Sequence, residues 1–342
     1  MSIEFTFLTQ EDVIASGGLD MKMAVEVVEE SFLLVNQGKV VLPPKLVMEL
    51  PPNERTRGRI IGLAGYIDAN NQIVGIKWIP SFPANPITRN LPRANALVIL
   101  NDTTTGMPLA IMDGTIISAI RTGAVAALGA KHLARNDSRT LSLIGLGVQS
   151  RTQAMGIATV LPNLKEIRGY RRTQAKGQNV VDEIHELTGI PTTLAKSVKD
   201  AVEGTDIIDT ATNADEQIVK DQWVSEGSLF IHIGSFVEEE YNVVLKSNKI
   251  VVDSWDAVKR RQTQILARMF NEGIIADNDI YASLDEIIAG KKIGRDTARE
   301  RIFFSPMGMA SGDIAIASKL FERARAKGIG QTLRLWDRPH WI

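Results

Sequence analysis

Apolar positions recur at helical spacing from Met21 to Leu34, between Gly18 and Gly38, and predict an amphipathic helix followed by the extended, proline-containing stretch VVLPPKLVMEL. On this reading the first domain begins with a helix. Short β-rich runs come next, IIGLAGYI, QIVGIKWI and NALVILND, separated by Asp, Asn and Gly turn chemistry, and PLAIMD follows the turn TTTG. With no long crossover between them, these runs predict a mostly antiparallel or mixed sheet. Residues 115–134, TIISAIRTGAVAALGAKHLA, are rich in Ala and apolar nearly all round, the pattern of a buried helix that packs closely and bridges two domains.

The rhythm then changes. LSLIGLGVQS is a buried-type strand entering a glycine turn, RTQAMGIATVL is helical, EIRGYRR is a strand and GQNVVDEIHELTG a helix. SVKDAVEG, TDIIDTAT, DQWVSEGSLFIHIG and KIVVDSW continue the alternation, which predicts a parallel, doubly wound α/β sheet of the dinucleotide-binding kind. From Asp256 onward the pattern reads as helical again, with the stripe IAIASKLFERARAKG after FFSPMGMASGD returning the C-terminus to the first domain.

Composition narrows the partners. The 342 residues exceed one hydrophobic core, and 39 basic against 40 acidic side chains give a net charge of −1, so no basic field is present to gather nucleic acid or an anionic membrane. No cysteine is present, which excludes disulfides and thiolate chemistry, and the four histidines, His132, His185, His232 and His340, show no i,i+4 pairing. No metal site is therefore expected, and a metal hydrolase is the weakest reading. The N-terminal MSIEFTFLTQEDV has neither a basic leader nor a long apolar run, so a cytoplasmic chain is expected.

Candidate chemistry lies at two places. Gly145, Gly147, Val148, Gln149 and Ser150 follow an apolar strand and open a helix, the context in which G-x-G-x-x-[G/A] acquires meaning, with Ser150 small in place of the third glycine. Such a turn lets backbone approach a pyrophosphate and aims free N–H groups at it, although glycine turns also join strands to helices merely for packing. At the next strand end, Arg171, Arg172 and Thr173 stand where an NAD site usually offers an acid to the ribose hydroxyl, so NADP(H) is preferred over NAD(H). The open alternative is that these arginines are simply solvated. Thr212, closing TDIIDTAT, joins the cofactor-binding set.

Before that turn, Lys45, Lys77, Arg93 and Arg121 sit among apolar or Pro-rich residues. Arg121 interrupts an otherwise apolar helix, and a buried guanidinium requires an anion: either a structural acid, Asp113 or Glu49, or a substrate carboxylate. Lys77, inside VGIKWIP, reads equally as a snorkelling side chain or as part of a site.

Three blocks, MDGTIISAIRTGAVAALGAKHLA, LIGLGVQSRTQA and FFSPMGMASGD, resemble the ornithine cyclodeaminase/μ-crystallin family, and the resemblance spans nearly the whole chain. Within it, GIKWIPSFPANPITRNLPRANALVILND is most similar to the branch that makes N-(2-amino-2-carboxyethyl)-L-glutamate. The resemblance implies a homodimer with a substrate-binding and dimerisation domain of mixed α+β structure, 1–125 with 315–342, and a Rossmann domain, 126–314. It implies an NAD(P)-dependent oxidoreductase that moves hydride between nicotinamide and the α-carbon of a small amino or imino acid. Two alternatives stay open, a cyclodeaminase that recycles bound NAD and a μ-crystallin-like binder without turnover.

Carried over by position, Arg121 clamps the α-carboxylate and Lys77 bonds to it or moves protons, while Lys45 replaces a common Arg and loses its planar fork. Gly308 and Met309 lie beside the nicotinamide, and Asp313 lines the pocket or caps its helix. Phe236 occupies the place where cyclodeaminases have an Asp, which argues against ornithine. Glu238, Glu239 and Glu240 are read as a solvated surface run, with the alternative that one of them reaches the pocket.

Overall fold

The computed structural model describes residues 2–50, 58–214 and 216–341. Two compact units result, Met1–Arg121 with Met309–Ile342, and Thr122–Gly308.

The first unit opens with β1 (Ile3–Leu8), α1 (Gln10–Ala15) and α2 (Met21–Asn36), then β2 (Val40–Val41), β3 (Leu46–Glu49), β4 (Arg59–Ile67), β5 (Ile73–Ser81), α3 (Asn85–Thr88), β6 (Leu97–Asn101), β7 (Pro108–Asp113) and the start of α4 (Thr115–Leu133). The chain thus begins with a strand, not the helix expected: apolar and polar positions alternate with period two along Ile3–Phe7, and β1 is placed between two strands distant in sequence. Thr9 and Asp12 form a reciprocal capping box at α1, and the Asp20 carboxylate accepts the Met23 N–H at 3.0 Å to start α2.

The second unit carries β8 (Thr140–Ile144), α5 (Val148–Val160), β9 (Glu166–Tyr170), α6 (Gln178–Thr188), β10 (Thr192–Leu194), α7 (Val198–Val202), β11 (Ile207–Thr210), β12 (Leu229–His232), α8 (Tyr241–Leu245), β13 (Lys249–Val252), α9 (Trp255–Lys259), α10 (Ile265–Asn271), β14 (Ala282–Ser283), α11 (Leu284–Ile288) and β15 (Ile302–Ser305). The chain then returns to the first unit with α12 (Ala310–Lys327) and β16 (Gln331–Trp336). The segment after Asp256 is therefore not purely helical, because the apolar IFFS is β15 and the terminal QTLRLW is β16.

In the first unit the sheet order is β16-β1-β7-β6-β5-β4-β2, with β3 also on β4; β1 and β7 are parallel and every other pairing is antiparallel. This is the mixed sheet expected from short connections. Helix α12 lies on β4, β5 and β6 and against α2. It comes close because β4 and β5 face it with glycine: a Cβ on Gly65 would stand 3.1 Å from the Ile314 side chain.

In the second unit the strands among the described residues all run parallel, in the order β10-β9-β8-β11-β12-β15-β13-β14. Strand order reverses at β8, with β9 on one side and β11 on the other. In such sheets the crevice beyond the strand ends at the reversal is the ligand site. Continuous burial of β8, β11, β12, β13 and β15 accounts for their unbroken apolar runs. Among the described residues no helix is long and apolar enough to cross a membrane.

Candidate active site

The second unit's turn lies at the reversal point. Gly145 has φ +105°, a conformation side chains disfavour, and a Cβ there would meet the Ala211 carbonyl oxygen at 2.6 Å. Gly147 caps the start of α5 and has no side chain to accept from it, so among the described residues the first turn has no side-chain cap. The turn's carbonyls are tied back instead: Leu146 accepts from Arg171 Nη1 at 3.0 Å, and Gly147 accepts from the Ser150 hydroxyl at 2.8 Å and from Arg151 Nη1 at 2.9 Å. Donors are thus left facing outward at a helix N-terminus, which suits a phosphate. Val148 is 65% exposed there.

Arg171 is half-buried and spends one nitrogen on that carbonyl, whereas Arg172 and Thr173 are exposed on the loop after β9. Thr212 follows β11, and both its N–H, at 2.5 Å, and its hydroxyl donate to one oxygen of Glu238. Gly308, with φ +75°, donates its N–H to Asp253 at 2.5 Å, and Met307 donates to the same carboxylate at 2.8 Å.

Glu238 and Glu239 are fully buried, which corrects the surface reading of that run; Glu240 is half-buried and accepts the Asp221 N–H at 2.9 Å. Glu239 pairs with His232 Nδ1 at 2.9 Å, and Asp209 is buried nearby on β11. Burial opposes the imidazolium of His232, yet the Glu239 and Glu238 charges outweigh it and raise its pKa. Burial, and then the Glu238 charge, push the Asp209 carboxyl well above the usual carboxylate range. The available sequence signals were His232 inside the apolar strand LFIH and Asp209 inside IIDT, titratable side chains in buried-type strands. Phe236 is half-buried on the loop between them.

The first unit holds the cationic cluster. Asp313, in the first turn of α12, accepts Lys77 Nζ at 2.8 Å and Arg121 Nε at 3.0 Å on one oxygen, Oδ1. It is therefore the counter-ion of both cations rather than the helix cap. Arg121's structural acid is neither Asp113, which accepts the Thr115 and Ile116 N–H groups at the start of α4, nor Glu49, which lies opposite Arg59 at the far end of β3. Ser118, one turn before Arg121, accepts a further Lys77 hydrogen bond at 3.1 Å and was not among the residues singled out from sequence, although i,i+3 spacing puts it on the same helix face as Arg121.

Lys77 is 1% and Asp313 0% exposed, with Arg121 at 12%. Burial lowers the Lys77 pKa from 10.5 to about 7; Arg121 and Lys45 push in the same direction, and Asp313 resists. Lys77 and Arg121 thus share one oxygen of a single carboxylate, whose other oxygen, Oδ2, is buried and has no hydrogen-bond partner among the described residues. A lysine lowered to about 7 is partly neutral near pH 7 and is a competent base.

Residues 4–328 match the ornithine cyclodeaminase/mu-crystallin family. The chain is 30% identical to the N-((2S)-2-amino-2-carboxyethyl)-L-glutamate dehydrogenase of Staphylococcus aureus, over 98% of this chain and 100% of that one. It is similar to the Δ1-pyrroline-2-carboxylate reductase of Thermococcus litoralis, solved with NADH and L-proline, at TM-score 0.89 and 34% identity over 96% of this chain and 99% of that one. An archaeal alanine dehydrogenase dimer with bound NAD matches at TM-score 0.87 and 31% identity, over 98% of this chain and 100% of that one. The chain therefore belongs to the ornithine cyclodeaminase/mu-crystallin family.

Proposed function

We propose that this protein is an NAD(P)-dependent oxidoreductase that exchanges hydride between nicotinamide and the α-carbon of an amino or imino acid. The observation that carries the reading is the buried Lys77–Asp313–Arg121 cluster, with its lysine tuned to about 7. The relatives support it, since they are named as dehydrogenases or reductases of amino and imino acids.

The tight bend at Gly145 and the uncapped start of α5 fit a dinucleotide, because a Cβ on Gly147 would meet nothing within 4 Å and the backbone there is open to a pyrophosphate. When bound, the nicotinamide supplies the hydride acceptor in one direction and the donor in the other. Arg121 binds the α-carboxylate through the terminal nitrogens of its fork, its Nε being held by Asp313. Lys45 adds charge to the same end.

In the oxidative direction neutral Lys77 takes the proton of the substrate ammonium group, so the nitrogen lone pair can form the C=N bond as hydride leaves Cα. Water then adds to the imine carbon and the amine departs, leaving a 2-oxo acid. In reverse, protonated Lys77 returns the proton to nitrogen. Ser118 and Asp313 hold the Lys77 ammonium in place, and burial of the cluster excludes bulk water.

NADP(H) is the proposed cofactor over NAD(H), because Tyr170-Arg171-Arg172-Thr173 offers no carboxylate to a ribose 2′-hydroxyl and an exposed guanidinium to a 2′-phosphate. The assembly proposed is a homodimer, as in the archaeal alanine dehydrogenase, in the cytoplasm. Cyclodeamination is disfavoured by Phe236.

The test mixes purified protein with NADP+ or NAD+ and a panel of L-amino acids, and with the reduced cofactors and cyclic imines or 2-oxo acids plus amines. Substrate-dependent change in nicotinamide absorbance is the expected result. Absence of any change across both panels refutes the reading.

A further inference from the structure

Glu238 lies on the segment after β12, and its contacts lead to the phosphate turn. That segment is pinned at both ends: the Ile233 and Gly234 N–H groups donate to the Thr210 carbonyl at 2.9 and 3.1 Å, and the Glu240 N–H donates to the Val219 carbonyl at 3.0 Å. Between these ties the Glu238 carbonyl accepts the Ile218 and Val219 N–H groups at 2.8 and 3.0 Å, while its side chain reaches Thr212. One carboxylate oxygen, Oε1, accepts both the Thr212 N–H, at 2.5 Å, and the Thr212 hydroxyl. That hydroxyl also accepts the Ala214 N–H at 3.0 Å, so its single proton is directed to Glu238. The other oxygen, Oε2, lies 3.8 Å from His232 Nδ1.

Thr212 in turn packs on the turn at the start of α5. A Cβ on Gly145 would stand 2.6 Å from the Ala211 carbonyl oxygen and 2.8 Å from Thr212 Cγ2, and the Ala211 N–H donates to the Ile144 carbonyl at 2.9 Å. The start of the loop after β11 and the glycine bend therefore form one wall, and a shift of Thr212 changes the room at the bend. Gly234 gives clearance on the other side: a Cβ there would meet Glu238 Oε2 at 2.1 Å, so glycine lets the carboxylate lie against that backbone. A buried carboxylate is costly unless hydrogen bonds hold it, and both donors to Glu238 Oε1 come from Thr212.

We propose that Glu238 is a positioning residue for dinucleotide binding: it clamps Thr212, so that the loop after β11 and the Gly145 turn present a fixed cradle to the cofactor. This rests on the preceding assignment of the dinucleotide to that turn. Glu238 acts through Thr212, its own carboxylate being fully buried. With the clamp in place the wall is ordered before the cofactor arrives, and none of the cofactor's binding energy is diverted to ordering it.

The test is calorimetric titration of NADP+ and NAD+ into wild type, Glu238→Ala, Glu238→Gln, Gly234→Ala, Thr212→Val and the double variant Glu238→Ala with Thr212→Val. Damage to folding lowers the fraction of molecules that bind, whereas loss of the cradle raises Kd in the molecules that stay folded. The expected result is a rise in Kd of about tenfold or more in Glu238→Ala, and a smaller one in Glu238→Gln, whose amide oxygen still accepts from Thr212. Gly234→Ala should also raise Kd, because the added methyl group displaces the end of the flexible Glu238 side chain from Thr212. Thr212→Val keeps a methyl against Gly145, and the double variant should match Glu238→Ala within about twofold, because one contact is not lost twice. A Kd within about twofold of wild type in Glu238→Ala, or a double variant whose rise is the product of the two single ones, overturns the clamp even in a protein that oxidises amino acids. Should Glu238→Ala fail to fold, Gly234→Ala decides in the same way. The expected pattern of binding in a protein that turns over nothing upholds the clamp while the oxidoreductase reading fails, and a wild type that binds neither dinucleotide overturns both.

Discussion

Raising the pH through neutrality should switch the enzyme on in the oxidative direction, with an inflection set by Lys77. A lysine with its ordinary pKa of 10.5 is almost wholly protonated at pH 8, whereas one lowered to about 7 is neutral in ~10% of molecules at pH 6, ~50% at pH 7 and ~90% at pH 8. If Lys77 accepts the amine proton, kcat rises by nearly tenfold across those two pH units and then levels. The causes of the shift fix how variants move the inflection. Asp313 holds the Lys77 pKa up, so Asp313→Asn moves the inflection to lower pH; Lys45 holds it down, so Lys45→Met moves it to higher pH. The assay is the initial rate of nicotinamide reduction at saturating amino acid, in buffers of constant ionic strength from pH 5.5 to 10. A rate flat from pH 6 to 8, or an inflection that rises in Asp313→Asn, refutes the assignment of Lys77 as the base.

Arg121→Met should lower kcat/KM by roughly 100-fold or more while NADP+ binding, followed by fluorescence titration, is unchanged; equal loss of both would make Arg121 a folding residue. Gly145→Ala forces a side chain into φ +105° and against the Ala211 carbonyl, so it should cost about 1–3 kcal/mol in denaturant unfolding and weaken dinucleotide binding. Arg172→Met should raise the Kd for NADP+ by roughly tenfold and leave that for NAD+ within twofold; equal change in both removes the 2′-phosphate assignment. Glu239→Ala removes the carboxylate hydrogen-bonded to the buried His232 and should destabilise the fold by roughly 3–5 kcal/mol, read as a lowered Tm.

Local patterns made much of the site legible. Gly145 and Gly147 are announced by the apolar strand before them and the helix after, and Lys77 and Arg121 stand out because charge interrupts an apolar run. The parallel sheet follows from alternating helices and strands. Legibility fails where meaning depends on distant partners. Asp313 is counter-ion to residues 192 and 236 positions away, and nothing in MASGD distinguishes that task from helix capping. Strands β1 and β16 pair across the two ends of the chain, so the alternation of Ile3–Phe7 marks a strand while nothing near it in sequence shows its partner. Glu238 and Glu239 read as solvated acids because a run of carboxylates is usually at the surface; their partners, Thr212 and His232, are supplied by the ends of β11 and β12.

The central claim is hydride transfer at the α-carbon, and the most direct measurement follows that hydrogen. An amino acid substrate deuterated at Cα is incubated with the protein and oxidised cofactor, and the reduced cofactor is isolated for mass spectrometry. The account predicts that the label appears on the nicotinamide ring. Its appearance in solvent water, with unlabelled reduced cofactor, would contradict the account.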